Sequence, residues 1–220
     1  MIITKIERQK RHPDRVNLYL DGEFALGVNR EVVVKLGLRK GDELSRDRLN
    51  ELTSLEEFTL AKQKALRLLG HRLRSEKELR IKLREKEFNP DIIDSVVKHL
   101  QSVHLLNDLE FARAYVHDTQ LRKPAGRRLL EQQLRVKGIP PPLIQQVLDQ
   151  SISPQQEEKD AFETAGKLFR RYRSSRKKIE NEKQQKRIAE SLSRRGYRWQ
   201  TISCVMKKLF NDQPFNISED

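Results

Sequence analysis

The sequence predicts a mostly α-helical protein: three tandem three-helix repeats forming an elongated curved array, preceded by a small strand-rich N-terminal segment. Three observations carry this. Apolar residues recur at helical spacing from residue 59 onward. Residues 1–58 show strand-like alternation and a hairpin signal instead. And 36% hydrophobic against 35% charged residues, over 220 residues, is too little apolar material for one thick core. Small stacked units suit that ratio better.

Within 1–58, Ile2, Thr4 and Ile6 alternate with neighbours, and so do Val16, Leu18 and Leu20. Asp21-Gly22 supplies the two positive-φ positions of a type I′ turn, and 24–28 is the returning strand. Asn29 is placed to cap a short helix through Leu36, which Gly37 ends. Ser45 is placed to cap the next helix.

The helical part repeats. Leu83-Arg84-Glu85-Lys86-Glu87-Phe88, Leu134-Arg135-Val136-Lys137-Gly138-Ile139 and Leu192-Ser193-Arg194-Arg195-Gly196-Tyr197 share a leucine, a cation, a turn residue and an apolar residue. Counting on from Phe88 gives Ile92, Ile93, Val96, Val97 and Leu100. The same offsets from Ile139 give Leu143, Ile144, Val147 and Leu148, and from Tyr197 give Thr201, Ile202, Val205, Met206 and Leu209. Each set is one face of a helix, and such columns read as core. Four residues before each leucine stand Leu79, Leu130 and Ile188. So one helix ends at the turn and another starts after it. Gly138 and Gly196 sit where a helix needs a left-handed C-terminal residue. Pro90 and Pro140-Pro141-Pro142 suit helix entry. Ser75-Glu76-Lys77-Glu78 reads as a capping box. A third helix precedes each pair, over 61–69, 111–121 and 161–172. The expected divisions are therefore 1–58, 59–105, 106–152 and 153–220 with its tail.

Charge points toward a polyanion. The net charge is +13, and nucleic acid is the usual partner of such a balance. Residues 1–58 are net neutral, and the three repeats carry +5, +2 and +6. Arg170, Arg171, Arg173, Arg176, Lys177 and Lys178 put six cations within nine residues, with Tyr172 among them. A phosphate backbone is their natural partner, with a base stacking on Tyr172; a solvated helix end and charged linker is the alternative. Arg194, Arg195 and Arg198 flank the third turn beside Trp199. Arg127, Arg128 and Lys137 occupy the equivalent zone of the second repeat, and Arg72, Arg74 and Lys77 that of the first. If the repeats stack, these residues line one ridge; ordinary solvent-facing helix is the other reading.

Other classes find little support. The five histidines show no metalloprotease spacing, and no phosphate-cradling glycine loop is present. Asp108 reads as a helix cap rather than an acid catalyst. No cofactor or metal is expected. The lone Cys204 cannot make an internal disulfide. No apolar run is long enough to span a bilayer, and the N-terminus lacks the apolar stretch of a signal peptide. The expectation is a cytoplasmic protein without a membrane partner. No heptad or other dimer element appears, so a monomer is expected.

The order of these motifs resembles the RecX family, regulators of RecA recombinase. The resemblance covers roughly residues 60–210. It rests on Ala65-Leu66-Arg67-Leu68-Leu69, Arg74-Ser75-Glu76-Lys77-Glu78-Leu79 and Leu83, then Asn107-Asp108-Leu109-Glu110-Phe111-Ala112, Tyr115 and Arg122. Gly126, Arg127, Leu130, Leu134, Lys137, Gly138 and Ile139 complete it. Asn107 stands where an acid pair is common, and Glu87 where glycine is usual. The resemblance implies a binding protein and not an enzyme. It implies association with the RecA–single-stranded DNA filament, with modulation, mostly inhibition, of ATP hydrolysis and strand exchange. The setting would be homologous recombination, DNA repair and the SOS response. It also implies DNA binding by the protein alone, to single strands and, as a second candidate, to duplex. A stand-alone DNA-binding protein built from tri-helical units is the competing reading.

Overall fold

The computed structural model describes residues 1–174 and 180–210. The chain divides into two compact units, 1–106 and 107–220.

The first unit opens with an antiparallel sheet in the order β1 (Ile3–Arg8), β2 (Arg15–Leu20), β3 (Glu23–Asn29). Asp21 and Gly22 join β2 to β3 with φ of 51° and 92°, as a type I′ turn requires. The alternation expected of Ile2, Thr4 and Ile6 fails at its start. The β1–β2 register shifts between Ile3 and Lys5. Ile3 is therefore fully buried, Ile2 is 49% exposed, and Ile6 still packs on the core. Thr4 sits at the irregularity. Its hydroxyl donates to the Tyr19 carbonyl at 3.2 Å and accepts the Gly22 N–H at 3.0 Å. A polar side chain thus compensates the disturbed ladder.

Helix α1 (Arg30–Lys35) is capped by Asn29, whose side chain accepts from the Glu31 N–H, and Gly37 follows at φ 63°. Helix α2 (Arg46–His71) is capped by the Ser45 hydroxyl and runs for 26 residues. It starts at the cap expected at Ser45, runs without a break into the helix expected over 61–69, and passes through the boundary expected at 58. Its first half gives Leu52 to the sheet core, beside Leu18, Val28, Val32 and Leu44. Its second half gives Ala61 and Ala65 to a different core.

That second core belongs to the first three-helix unit, completed by α3 (Glu76–Arg84) and α4 (Pro90–Ser102). Leu79, Leu83, Ile93, Val96, Val97 and Leu100 are buried in it, while Phe88 and Ile92 pack at its edge. The Ser75 hydroxyl accepts the Glu78 N–H at 3.2 Å.

The second compact unit holds α5 (Asp108–Arg122), α6 (Arg127–Val136) and α7 (Pro141–Ser151), then α8 (Pro154–Arg173), α9 (Asn181–Arg194) and α10 (Trp199–Phe210). Leu130, Leu134, Ile139, Ile144, Val147 and Leu148 fill one core with Phe111, Ala112 and Val116. Ile188, Leu192, Tyr197, Ile202, Val205 and Met206 fill another with Ala161 and Ala165. Asn107, not Asp108, caps α5. Its side chain accepts from the Leu109 and Glu110 N–H groups, and Asp108 is the first helical residue.

The three turns share a left-handed residue whose N–H donates three residues back, to Arg84, Arg135 and Ser193 carbonyls. Glu87, Gly138 and Gly196 have φ of 62°, 86° and 79°. In the second and third, Ile139 and Tyr197 return their N–H groups to Leu134 and Leu192 carbonyls at 3.1 and 3.2 Å, closing α6 and α9. Glu87 is the only one of the three with a Cβ to crowd the left-handed conformation.

Two stability outcomes follow. Leu134→Ala, at a fully buried position, is expected to cost about 2–5 kcal/mol in urea unfolding; a loss well under one would remove it from the core. Glu87→Gly is expected to gain about 0.5–1 kcal/mol, because relief of the left-handed strain exceeds the added entropy of the unfolded chain.

Candidate nucleic-acid interface

The cations separate into those that the fold uses and those that it leaves at the surface. In the first unit, Arg72 Nη1 donates to Glu78 Oε2 and to the Leu73 carbonyl, both at 2.8 Å. Arg74 Nε donates to the Leu68 carbonyl at 3.1 Å. Both brace the bend between α2 and α3. Lys77 is exposed in the first turn of α3.

Arg127 is withdrawn furthest. Its side chain is 11% exposed, and Nη2 donates to Asp149 Oδ1 at 2.5 Å. Its backbone N–H donates to Glu157 Oε1 at 2.9 Å. These contacts tie the start of α6 to α7 and α8, so this guanidinium is a brace rather than an exposed phosphate ligand. Lys137 is half-buried, with its ammonium 5.9 Å from the Tyr115 ring centroid.

Arg170, Arg171 and Arg173 are exposed in the last turn of α8, where the helix dipole favours cations. Arg171 lies 5.7 Å from the Tyr172 ring and Arg173 5.6 Å from the Phe169 ring. Each guanidinium is thereby held over an aromatic face. Arg176, Lys177 and Lys178 lie outside the described residues. Arg128, Arg194 and Arg198 are exposed, and Arg195 is half-buried.

The turn at Gly196 meets the loop before α6 through backbone. The Gly126 N–H donates to the Arg195 carbonyl at 2.8 Å, and the Arg128 N–H donates to the Gly196 carbonyl at 3.1 Å. A Cβ on Gly126 would stand 2.4 Å from Gly196 backbone atoms, and one on Gly196 would stand 2.2 Å from the Leu129 nitrogen. Only hydrogens fit in this contact. It brings Arg194 and Arg195 to the loop that precedes α6. A cleft of about 390 Å³ opens there, lined by Thr119, Lys123, Gln133, Ser191, Arg194 and Arg195 among others. Sequence reasoning missed Lys123, Thr119 and Ser191, because the two sides of the cleft are far apart along the chain. The cation directly before Pro124 and Gly126 was the one available signal. Among the described residues, no group of three His, Cys, Asp or Glu side chains is placed to hold a metal ion. Nor, among them, is any helix long and apolar enough to cross a membrane.

Family models match three stretches of the chain. The Regulatory protein RecX N-terminal domain matches residues 1–45. The first three-helix domain of RecX matches 61–100, and the second matches 107–148. The Regulatory protein RecX of Clostridioides difficile (strain 630) is 34% identical over 216 residues, covering 98% of this chain and 99% of that protein. The Regulatory protein RecX of Bacillus subtilis (strain 168) is 33% identical, covering 94% of this chain and 76% of that one. A crystal structure of regulatory protein RecX superposes with a TM-score of 0.75 at 27% identity, covering 96% of this chain and 99% of that one. RecX from Lactobacillus salivarius gives 0.62 at 25% identity, covering 70% and 97%.

Tyr197 follows Gly196 and is 1% exposed. Its phenol is pushed up to about 12, by burial first and by the Asp160 and Glu157 charges next. The unfolded phenol titrates near 10. Between those values the unfolded chain releases a proton that the folded chain keeps, so stability falls as pH rises. Tyr197→Phe should therefore lose less stability than the parent between pH about 9 and about 11 in urea unfolding. The expected difference is about 1.4 kcal/mol, and equal losses would count against this burial effect.

Proposed function

The chain belongs to the RecX family, and on that premise we propose that it binds the RecA–single-stranded DNA filament and inhibits RecA ATP hydrolysis and strand exchange. It acts as a regulator of homologous recombination and DNA repair, without catalysis of its own. The observation that carries this reading is the placement of charge. The N-terminal segment is neutral, and the whole +13 excess falls on the helical part. Arg170, Arg171, Arg173, Arg194 and Arg198 stand exposed there.

The physical argument follows from that placement. Exposed cations exchange condensed counterions for phosphates, and this gives affinity without sequence preference. Arginines pre-oriented over Phe169 and Tyr172 lose less freedom when a partner arrives. A protein with several such units bridges successive recombinase subunits and opposes the motions that accompany ATP turnover. Burial of Arg127 and the bracing roles of Arg72 and Arg74 shift the weight of the interface to α8 and the end of α9.

The test is ATP hydrolysis by RecA assembled on single-stranded DNA, with this protein titrated in below stoichiometry and duplex DNA as competitor. Inhibition far below one molecule per RecA, resistant to competitor and weakened by Arg171→Glu with Arg173→Glu, is the expected result. No change beyond what competition for DNA explains would favour a stand-alone DNA-binding protein instead.

A further inference from the structure

We propose that the cleft between the loop before α6 and the end of α9 is a binding site for a phosphodiester of single-stranded nucleic acid, with Lys123, Arg194 and Arg195 as its cations. The inference rests on the filament-binding reading above and gives it a location.

The lining is what an anion requires. Lys123, Arg194 and Arg195 contribute three cations, and no aspartate or glutamate lines the cleft. None of the three enters an ion pair among the described residues. By contrast, Arg72, Arg80, Arg127 and Arg135 all face carboxylates. Three like charges around one concavity repel one another until an anion enters. Thr119, Gln133 and Ser191 add neutral donors. Forked guanidinium groups beside hydroxyls and an amide suit phosphate oxygens. At about 390 Å³ the cleft falls in the size range of small-ligand sites.

The walls are already in place. Gln120 Nε2 donates to the Ala125 carbonyl, and the Ala125 N–H returns to Gln120 Oε1, both at 3.0 Å. This fixes the loop that carries Lys123. The Gly126–Gly196 contact fixes the opposite wall. Two helix C-termini border the cleft, and their dipoles disfavour an anion. That opposition is blunted, because the Thr119, Ser191 and Ser193 carbonyls already accept backbone N–H groups from Lys123, Arg195 and Gly196. Binding therefore needs little reordering of the protein.

The experiment is a salt titration of binding to fluorescein-labelled oligothymidylate, run beside the RecA ATPase assay. The variants are Lys123→Gln/Arg194→Gln and, as an equal-charge control, Lys35→Gln/Lys40→Gln. All four lysines and arginines are exposed, so the fold is retained. The cleft variant should bind more weakly, and its slope of log K against log salt should be shallower by about 1.4, from two lost contacts on a single strand. The control should keep the parent slope. An unchanged slope in the cleft variant overturns the site while leaving the filament reading intact. Unchanged oligothymidylate binding with a lost ATPase effect also overturns it, because the cleft then meets an acidic protein surface. A parent protein with neither DNA affinity nor any ATPase effect sinks both inferences together.

Discussion

A single left-handed residue between the second and third helices constrains every three-helix unit. Glu87, Gly138 and Gly196 hold that position. The reversal sets the angle at which Leu79 and Leu83 meet Ile93, Val96 and Val97, and at which Leu130 and Leu134 meet Ile144, Val147 and Leu148. Such units have little apolar material to spare. A turn that misdirected the following helix would expose most of a core at once. In the third unit Gly196 has a second task, since its bare backbone also meets Leu129 and Gly126. Glycine is required there twice over, by φ and by space.

The cations answer to competing demands. A basic sequence that folds must first neutralise the charges that burial or bending brings near apolar groups. Arg127 reaches Asp149 from a largely buried position, and Arg80 is held between Glu76 and Asp94. Among the described residues, several charges left without a carboxylate stand at the ends of α8 and α9. Those ends are also where chain reversals place backbone from different helices side by side. At the cleft beside the end of α9, surplus charge and concave geometry coincide for that reason.

Much of the fold was legible because helical periodicity is a local signal. The leucine columns, the left-handed positions and the Asp21-Gly22 turn each depend on a few consecutive residues. The failures have physical causes of another kind. The shift at Ile3 is compensated by Thr4 bonding to Tyr19 and Gly22, a pairing that no alternation rule encodes. Asn107 takes the cap from Asp108 because the helix starts one residue earlier than the acid suggested. Ser45 marked the start of α2, but the run of the helix through residue 58 hid behind polar residues such as Thr53 and Ser54. For the interface, runs of cations were visible, but their partners were not. Arg127 looked like Arg128 in sequence, and only the return of Asp149 separates a brace from an exposed charge. Lys123 drew no notice because its neighbours in the cleft come from α9.

The 26-residue helix α2 belongs to two cores at once, through Leu52 at one end and Ala61 and Ala65 at the other. A rod shared in this way transmits disorder as readily as order. Fraying that starts among the sheet's contacts with α2 reaches the first three-helix unit without crossing a flexible joint. The neutral N-terminal segment and the first basic helices are thus coupled through one continuous element. A cut made near residue 58 would divide a helix rather than a linker, and one before Ser45 would strip Leu52 from the sheet core.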